Sequence, residues 1–140
     1  MLKLNTLTLR ELVTESVHAF GSQPFISFTG EKPVSYSGLR PLITGVQNLL
    51  TEHGIKHGDR VALLGPNMPN WALSYLSVTS MGAVVVPIMP EFTATEIVQV
   101  LRHSGAKVLI ASGRQLERIQ GSDIPELNHI LNLNDLVPAG

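Results

Sequence analysis

Apolar residues recur at helical spacing at Leu9, Leu12, Val13, Val17 and Phe20, which predicts an amphipathic helix over Leu9–Phe20. Thr8 and Glu11 have the spacing of a capping box at its start, in which the threonine oxygen and the glutamate carboxylate each satisfy a free backbone N–H. Gly21 follows as a left-handed stop. Two short runs, Phe25–Phe28 and Pro33–Tyr36, flank the turn-like Thr29-Gly30-Glu31-Lys32 and predict a β-hairpin. A second helical stripe follows at Leu39, Leu42, Ile43, Val46, Leu49 and Leu50, with Ser35 or Ser37 as its cap and Gly54 as its stop. Pro41 weakens this helix little because it lies near the start, and Gly45 suggests close approach of a neighbour.

Beyond Gly58 the pattern becomes strand–helix alternation. Arg60–Leu64 reads as a short buried strand. Pro69–Met81 is apolar on most faces, the pattern of a helix sandwiched between layers, and Gly82 closes it. Ala83–Ile88 is a β-branched run without polar alternation, as expected of a central parallel strand covered on both faces. Thr93 and Glu96 open a further helix through His103, ended by Gly105. Lys107–Ala111 reads as a strand, Ser112 with Gln115 as a third capping box for a helix ending near Gly121, and His129–Leu133 as a last strand. The tail Leu133–Gly140 reads as irregular and poorly ordered. The fold class is therefore α/β: an N-terminal helix and β-hairpin, then parallel β-α-β units.

Composition narrows the functions. Only 15% of the 140 residues are charged and the net charge is −1, against about 25% charged in an average domain. No basic stripe suggests nucleic acid. The absence of cysteine removes disulfides, thiolate metal sites and a cysteine nucleophile. No uninterrupted apolar run is longer than Ala83–Val86, far below the roughly 18 residues of a membrane span. The first ten residues lack a signal-peptide core. A cytoplasmic location is the expectation.

Open α/β sheets bind ligands beyond the C-terminal ends of their strands. Here those loops are Gly65–Asn70, Pro87–Phe92, Ser112–Arg114 and Asn134–Pro138. None carries a glycine-rich dinucleotide or phosphate motif, and no serine sits in a nucleophile elbow. Ser112-Gly113-Arg114 stands where an anion can bind, but a helix cap explains the same residues. Asn67 reads as the cap of the helix opened by Pro69, and Asp59-Arg60 as a structural ion pair or solvated turn. His53 and His57 have metal-binding spacing, but Gly54 breaks the helix between them. Glu96 is accounted for as a cap partner of Thr93, which leaves Glu91 without a partner for acid–base work. Trp71 and Tyr75 read as core packing. No catalytic, cofactor-binding or metal-ligating residue is assigned.

Three stretches together resemble a known family. Val34-Ser35-Tyr36-Ser37-Gly38-Leu39 is similar to the Thr-Tyr-x-Glu-Leu element near the start of AMP-forming acyl-CoA synthetases and other adenylate-forming enzymes. Gly54-Ile55-Lys56-His57-Gly58-Asp59-Arg60-Val61-Ala62 through Asn67 resembles their Gly-Asp-Arg-Val-Ala strand, and Met81-Gly82-Ala83-Val84-Val85-Val86-Pro87-Ile88-Met89-Pro90 their Gly-Ala-x-x-Val-Pro segment. The likeness continues through Glu96–Ile110 and covers about residues 7–112. Gly38 departs from it, standing where the family usually carries an acidic residue.

The resemblance implies that residues 1–140 are the N-terminal portion of the large N-terminal domain of an acid–thiol ligase. Such a parent, most like a long-chain fatty-acid–CoA ligase, activates a fatty acid with ATP and Mg2+ to an acyl-adenylate and passes the acyl group to coenzyme A. The family's phosphate loop, adenine and metal segment, ribose-binding Asp and C-terminal Lys all lie downstream of the matched region. This chain alone is therefore expected to be inactive and to need no cofactor. Its partner would be the remainder of the parent chain, and an apolar face left uncovered would favour self-association. The alternative is a free-standing binding or regulatory α/β module that uses the same subfold.

Overall fold

The computed structural model describes residues 2–136. Helix α1 spans Leu9–Phe20. Strands β1 (Pro24–Ile26) and β2 (Val34–Ser35) pair antiparallel as the hairpin. Helix α2 is Tyr36–Glu52, and Ser35 caps it by accepting from the Gly38 N–H at 3.2 Å. Strand β3 (Arg60–Leu64), helix α3 (Pro69–Ser80), strand β4 (Val84–Ile88) and helix α4 (Ala94–Ser104) follow. Strand β5 (Val108–Ala111), helix α5 (Gly113–Ile119) and strand β6 (His129–Asn132) complete the fold. No helix among the described residues is long and apolar enough to cross a membrane.

The main sheet is parallel, in the order β4-β3-β5-β6. Alternation along its strands sorts side chains between two cores. Val61, Leu63, Val108 and Ile110 face α2 and α3, with Leu39, Val46, Leu50, Leu73 and Val78 in the same cluster. Ala62, Leu64, Leu109 and Ala111 face α4 and α5, with Ile97, Leu101 and Ile119. Helix α3 is sandwiched as its composition requires, between β3 and β4 on one side and α1 and α2 on the other. Helix α1 only half-docks: none of its residues is fully buried, and Leu9, Leu12 and Phe20 stay about 40% exposed (39%, 39% and 43%).

Several expectations are corrected. The β-branched run enters the sheet as β4, which among the described residues lies at its edge rather than its centre. Its lack of polar alternation reports that both faces are covered, since Val85 packs into one core and Val86 and Ile88 into the other; it carries no information on lateral neighbours. Gly21 keeps a right-handed helical conformation (φ −40°). Glu11 bypasses the Thr8 N–H and accepts from Asn5 and Thr6, so that capping box is half formed. The Thr93–Glu96 box is complete. The Ser112 side chain makes no cap bond, and Gln115 is buried instead. Met68, not Asn67, occupies the cap position of α3, where Pro69 needs no donor satisfied. Gly45 faces open space. Of the expected irregular tail, residues 137–140 lie outside those described.

Candidate functional site

The strand order creates one topological switch point. The chain leaves β3 for α3 on one face of the sheet and leaves β5 for α5 on the other. Ligand crevices open where adjacent strands diverge in this way. A crevice of about 750 Å³ lies there, walled by Pro66 after β3, Pro90 and Glu91 after β4, Ser112, Gly113 and Arg114 after β5, and Asn132 and Asn134 at the end of β6. All four candidate loops thus contribute to one rim. A neighbouring hollow of about 410 Å³ runs under the same rim, between Asn67 and Trp71 on one side and Pro87 and Met89 on the other.

A close approach marks the end of β3, at the edge of the neighbouring hollow. Gly65 is buried at the end of β3, and a Cβ there would lie 2.5 Å from Leu133 Cδ2. A side chain at position 65 would displace Leu133, the residue after β6 that packs over the end of β3. Backbone bonds from Ser112 N–H to Leu64 O (3.2 Å) and from Leu133 N–H to Ala111 O (2.9 Å) carry the sheet pairing into the rim.

Two side chains hold the loops, and neither carried a signal in the sequence. Arg118 on α5 donates to the Pro90 carbonyl at 2.8 Å and to the Phe92 carbonyl, so one guanidinium clamps the loop after β4. Its geometric fork suits two acceptors. Asn70 on α3 donates through Nδ2 to Leu133 O at 2.9 Å and to Asn134 O at 3.3 Å. Their partners are backbone carbonyls distant in sequence, which no local pattern encodes.

The conspicuous Asp59-Arg60 pair lies at the opposite, N-terminal end of β3. Asp59 accepts from Lys107 at 2.7 Å and from the Lys56 N–H at 2.9 Å. These two contacts, Lys107 first, hold its carboxyl below the ordinary aspartate value of 3.8. Arg60 donates to Ser104 O at 2.9 Å and Gly105 O at 3.3 Å, where the last carbonyls of α4 need donors. Both residues therefore brace the sheet, although the ion pair of Asp59 is with Lys107 and not with its neighbour. His53 caps α2 and packs edge-on against His129 with ring centroids 4.7 Å apart; His57 lies against Gly82. Among the described residues no three His, Asp or Glu side chains cluster as metal ligands would.

The chain matches the AMP-binding enzyme family over residues 13–138. It belongs to that family. It is 36% identical over 100 residues to a methyl-dioxo-octahydro-indenyl-propanoyl:CoA ligase of Mycobacterium tuberculosis, covering 68% of this chain and 20% of that protein. It is 29% identical over 139 residues to a crotonobetaine/carnitine–CoA ligase of Salmonella paratyphi A, covering 94% of this chain and 27% of that protein. Among solved structures, the N-terminal domain of FACL13 from Mycobacterium tuberculosis superposes with a TM-score of 0.85 at 25% identity, over 94% of this chain and 35% of that one. The chain thus spans about a fifth to a quarter of the curated relatives it matches. Its α/β architecture is that of the N-terminal domains of adenylate-forming enzymes.

The residues at the crevice do not by themselves fit the nucleotide of this family. Among the described residues its rim has no glycine-rich loop of converging backbone N–H groups. Arg118 is committed to carbonyls, which leaves Arg114, on a helix of seven residues, as the cation at the rim among the described residues.

Proposed function

We propose that residues 1–140 are the N-terminal part of the large domain of an acid–thiol ligase. The whole protein would activate a carboxylic acid with ATP and Mg2+ to an acyl-adenylate, releasing pyrophosphate, and pass the acyl group to the thiol of coenzyme A. This chain supplies scaffold and one wall, and the catalytic groups come from elsewhere in the protein. One observation carries the reading. Two of the stretches that resemble the family, Gly54–Asn67 and Met81–Pro90, fold as the adjacent strands β3 and β4, and the loops that follow them share one ligand-type crevice.

A fatty acid is the proposed substrate class. The Asn67-Met68-Pro69-Asn70-Trp71 and Pro90–Glu96 segments resemble fatty-acyl-CoA ligases more than peptide-synthetase modules. The test is ATP–pyrophosphate exchange. We expect none from the 140-residue chain, and fatty-acid-dependent exchange from the product of the reading frame extended downstream. Exchange by the short chain alone overturns the scaffold reading, and a stop codon directly after Gly140 favours a free-standing module.

A further inference from the structure

We infer that the apolar groove under the β1–β2 hairpin seats the stretch of polypeptide that directly follows Gly140 in the whole protein, given, as proposed above, that this chain is the N-terminal part of a longer one. The groove measures about 320 Å³ and lies between the hairpin and the starts of α2 and α3. Leu39, Leu42 and Leu73 line it from the helices, and Phe25, Phe28 and Val34 from the hairpin. Leu39 and Leu73 are buried, whereas Phe28 is 45% exposed. Glu31 and Lys32 bring one charge of each sign to the lining, so the groove favours no ion, and burying a charge among these side chains would be costly. An uncharged, apolar occupant fits it.

The path of residues 133–136 says which chain supplies that occupant. Asn134 lies on the wall of the groove beside Asn70. The Asn70 side chain donates to the Leu133 and Asn134 carbonyls, so the backbone leaving β6 is tied to the groove. Leu133 and Leu136 are both buried, in the same cluster as Leu39 and Leu73, and Phe25 and Leu42 pack against that cluster. The chain beyond β6 is thus already laying leucines on the apolar surface that continues into the groove. The curated relatives have polypeptide to carry this further, since the chain spans only 20% and 27% of two of them. The hairpin wall is preformed: Tyr36 packs against Phe20 and Phe25 with ring centroids 5.6 and 5.0 Å apart. Strands β1 and β2 have three and two residues and no third strand among the described residues. A hairpin that short depends on what packs against it, and a filled groove supplies such packing.

The experiment is photo-cross-linking of the downstream-extended protein with the substitution Phe28→p-benzoylphenylalanine. The new ring replaces one that lines the groove and is half exposed, and on irradiation it joins to whatever C–H group lies against it. Mass spectrometry of the digest should find one dominant intramolecular cross-link, to the peptide that follows Gly140. Hydrogen exchange over residues 25–34 should also be severalfold slower in the extended protein than in the 140-residue chain. Fatty-acid-dependent ATP–pyrophosphate exchange by the same variant before irradiation shows that it is folded and tests the ligase reading separately. A cross-link between two copies assigns the groove to a second copy of the chain and overturns the proposal. So does a cross-link to a remote downstream segment, cross-links confined to residues 2–136, or none at all, and with exchange intact each of these leaves the ligase reading standing. A cross-link to the peptide after Gly140 without exchange supports the docking and counts against the ligase. A reading frame that stops at Gly140 overturns the proposal at the outset.

Discussion

Asp59, one residue before β3, and Lys107, one residue before β5, are joined by a 2.7 Å ion pair that ties together the starts of two neighbouring strands. The pair has a pH signature. Asp59 titrates below the ordinary 3.8, first through Lys107 and then through the Lys56 N–H. A carboxyl depressed in the folded state stabilises above its unfolded value and loses that contribution as pH falls through the folded one. Asp59→Asn should therefore lower the thermal midpoint at neutral pH, and the gap to the parent should close as pH falls below 3.8. Lys107 is 42% exposed, so added salt should shrink the effect. A gap independent of pH would mean that the ionised carboxylate of Asp59 is not what stabilises this end of the sheet.

Gly82 makes the turn from α3 into β4 at φ +82°. A Cβ there would lie 2.4 Å from His57 Cδ2. Gly82→Ala should cost about 1–2 kcal/mol from the left-handed backbone alone, read by urea unfolding. His57 is exposed and can swing away, so Gly82→Ala should be nearly as damaging with His57→Ala as without it. Full rescue by the histidine substitution would place the cost in the clash instead.

The two capping threonines should differ. Thr93 and Glu96 bond reciprocally and anchor α4, whose Ile97 and Leu101 are fully buried. Thr93→Ala should cost about 1 kcal/mol. Thr8 caps α1, which buries no residue completely, so Thr8→Ala should fray that helix and barely move global unfolding. Denaturant midpoints and helix-resolved hydrogen exchange of the two variants separate these outcomes.

Much of this was legible in the sequence, and the exceptions share a cause. Helix α1 and strand β3 fall where periodicity puts them, because burial on one face or both is written into which residues are apolar. Gly82 and Gly105 end their helices as expected, because left-handed turns select glycine. The edge position of β4, the Arg118 clamp and the Asn70 tether were not legible. Each depends on backbone groups supplied by a segment far along the chain, and a carbonyl acceptor is the same for every residue type. The rim of the crevice was legible as four loops, and their convergence follows from strand order.

Arg118 tests the rim directly. It holds the Pro90 and Phe92 carbonyls, and the Phe92 N–H closes the same loop onto Met89 O at 3.1 Å. Arg118→Met keeps the aliphatic stem and removes both donors. Amide exchange at Phe92 should accelerate severalfold while the β3 and β5 amides hold their protection. Unchanged exchange at Phe92 would show that the loop is held by its own turn.

The last prediction concerns the sheet edges. Val84 on β4 is 47% exposed, Met89 just beyond it 59%, and Ile130 on β6 52%. Both outer strands, β4 and β6, end the sheet with one side unpaired among the described residues. Unpaired apolar strands template further pairing, and the low charge of the chain provides little repulsion against it. The 140-residue chain should therefore self-associate with rising concentration in sedimentation velocity. Val84→Lys and Ile130→Lys should each reduce that association, because an edge lysine must be desolvated to pair. The same substitutions in the downstream-extended protein distinguish the two edges. An edge that another segment covers there should lose stability when it carries the lysine, and an edge that stays open should not. A monodisperse short chain that binds no apolar dye would refute the idea that these edges await a partner.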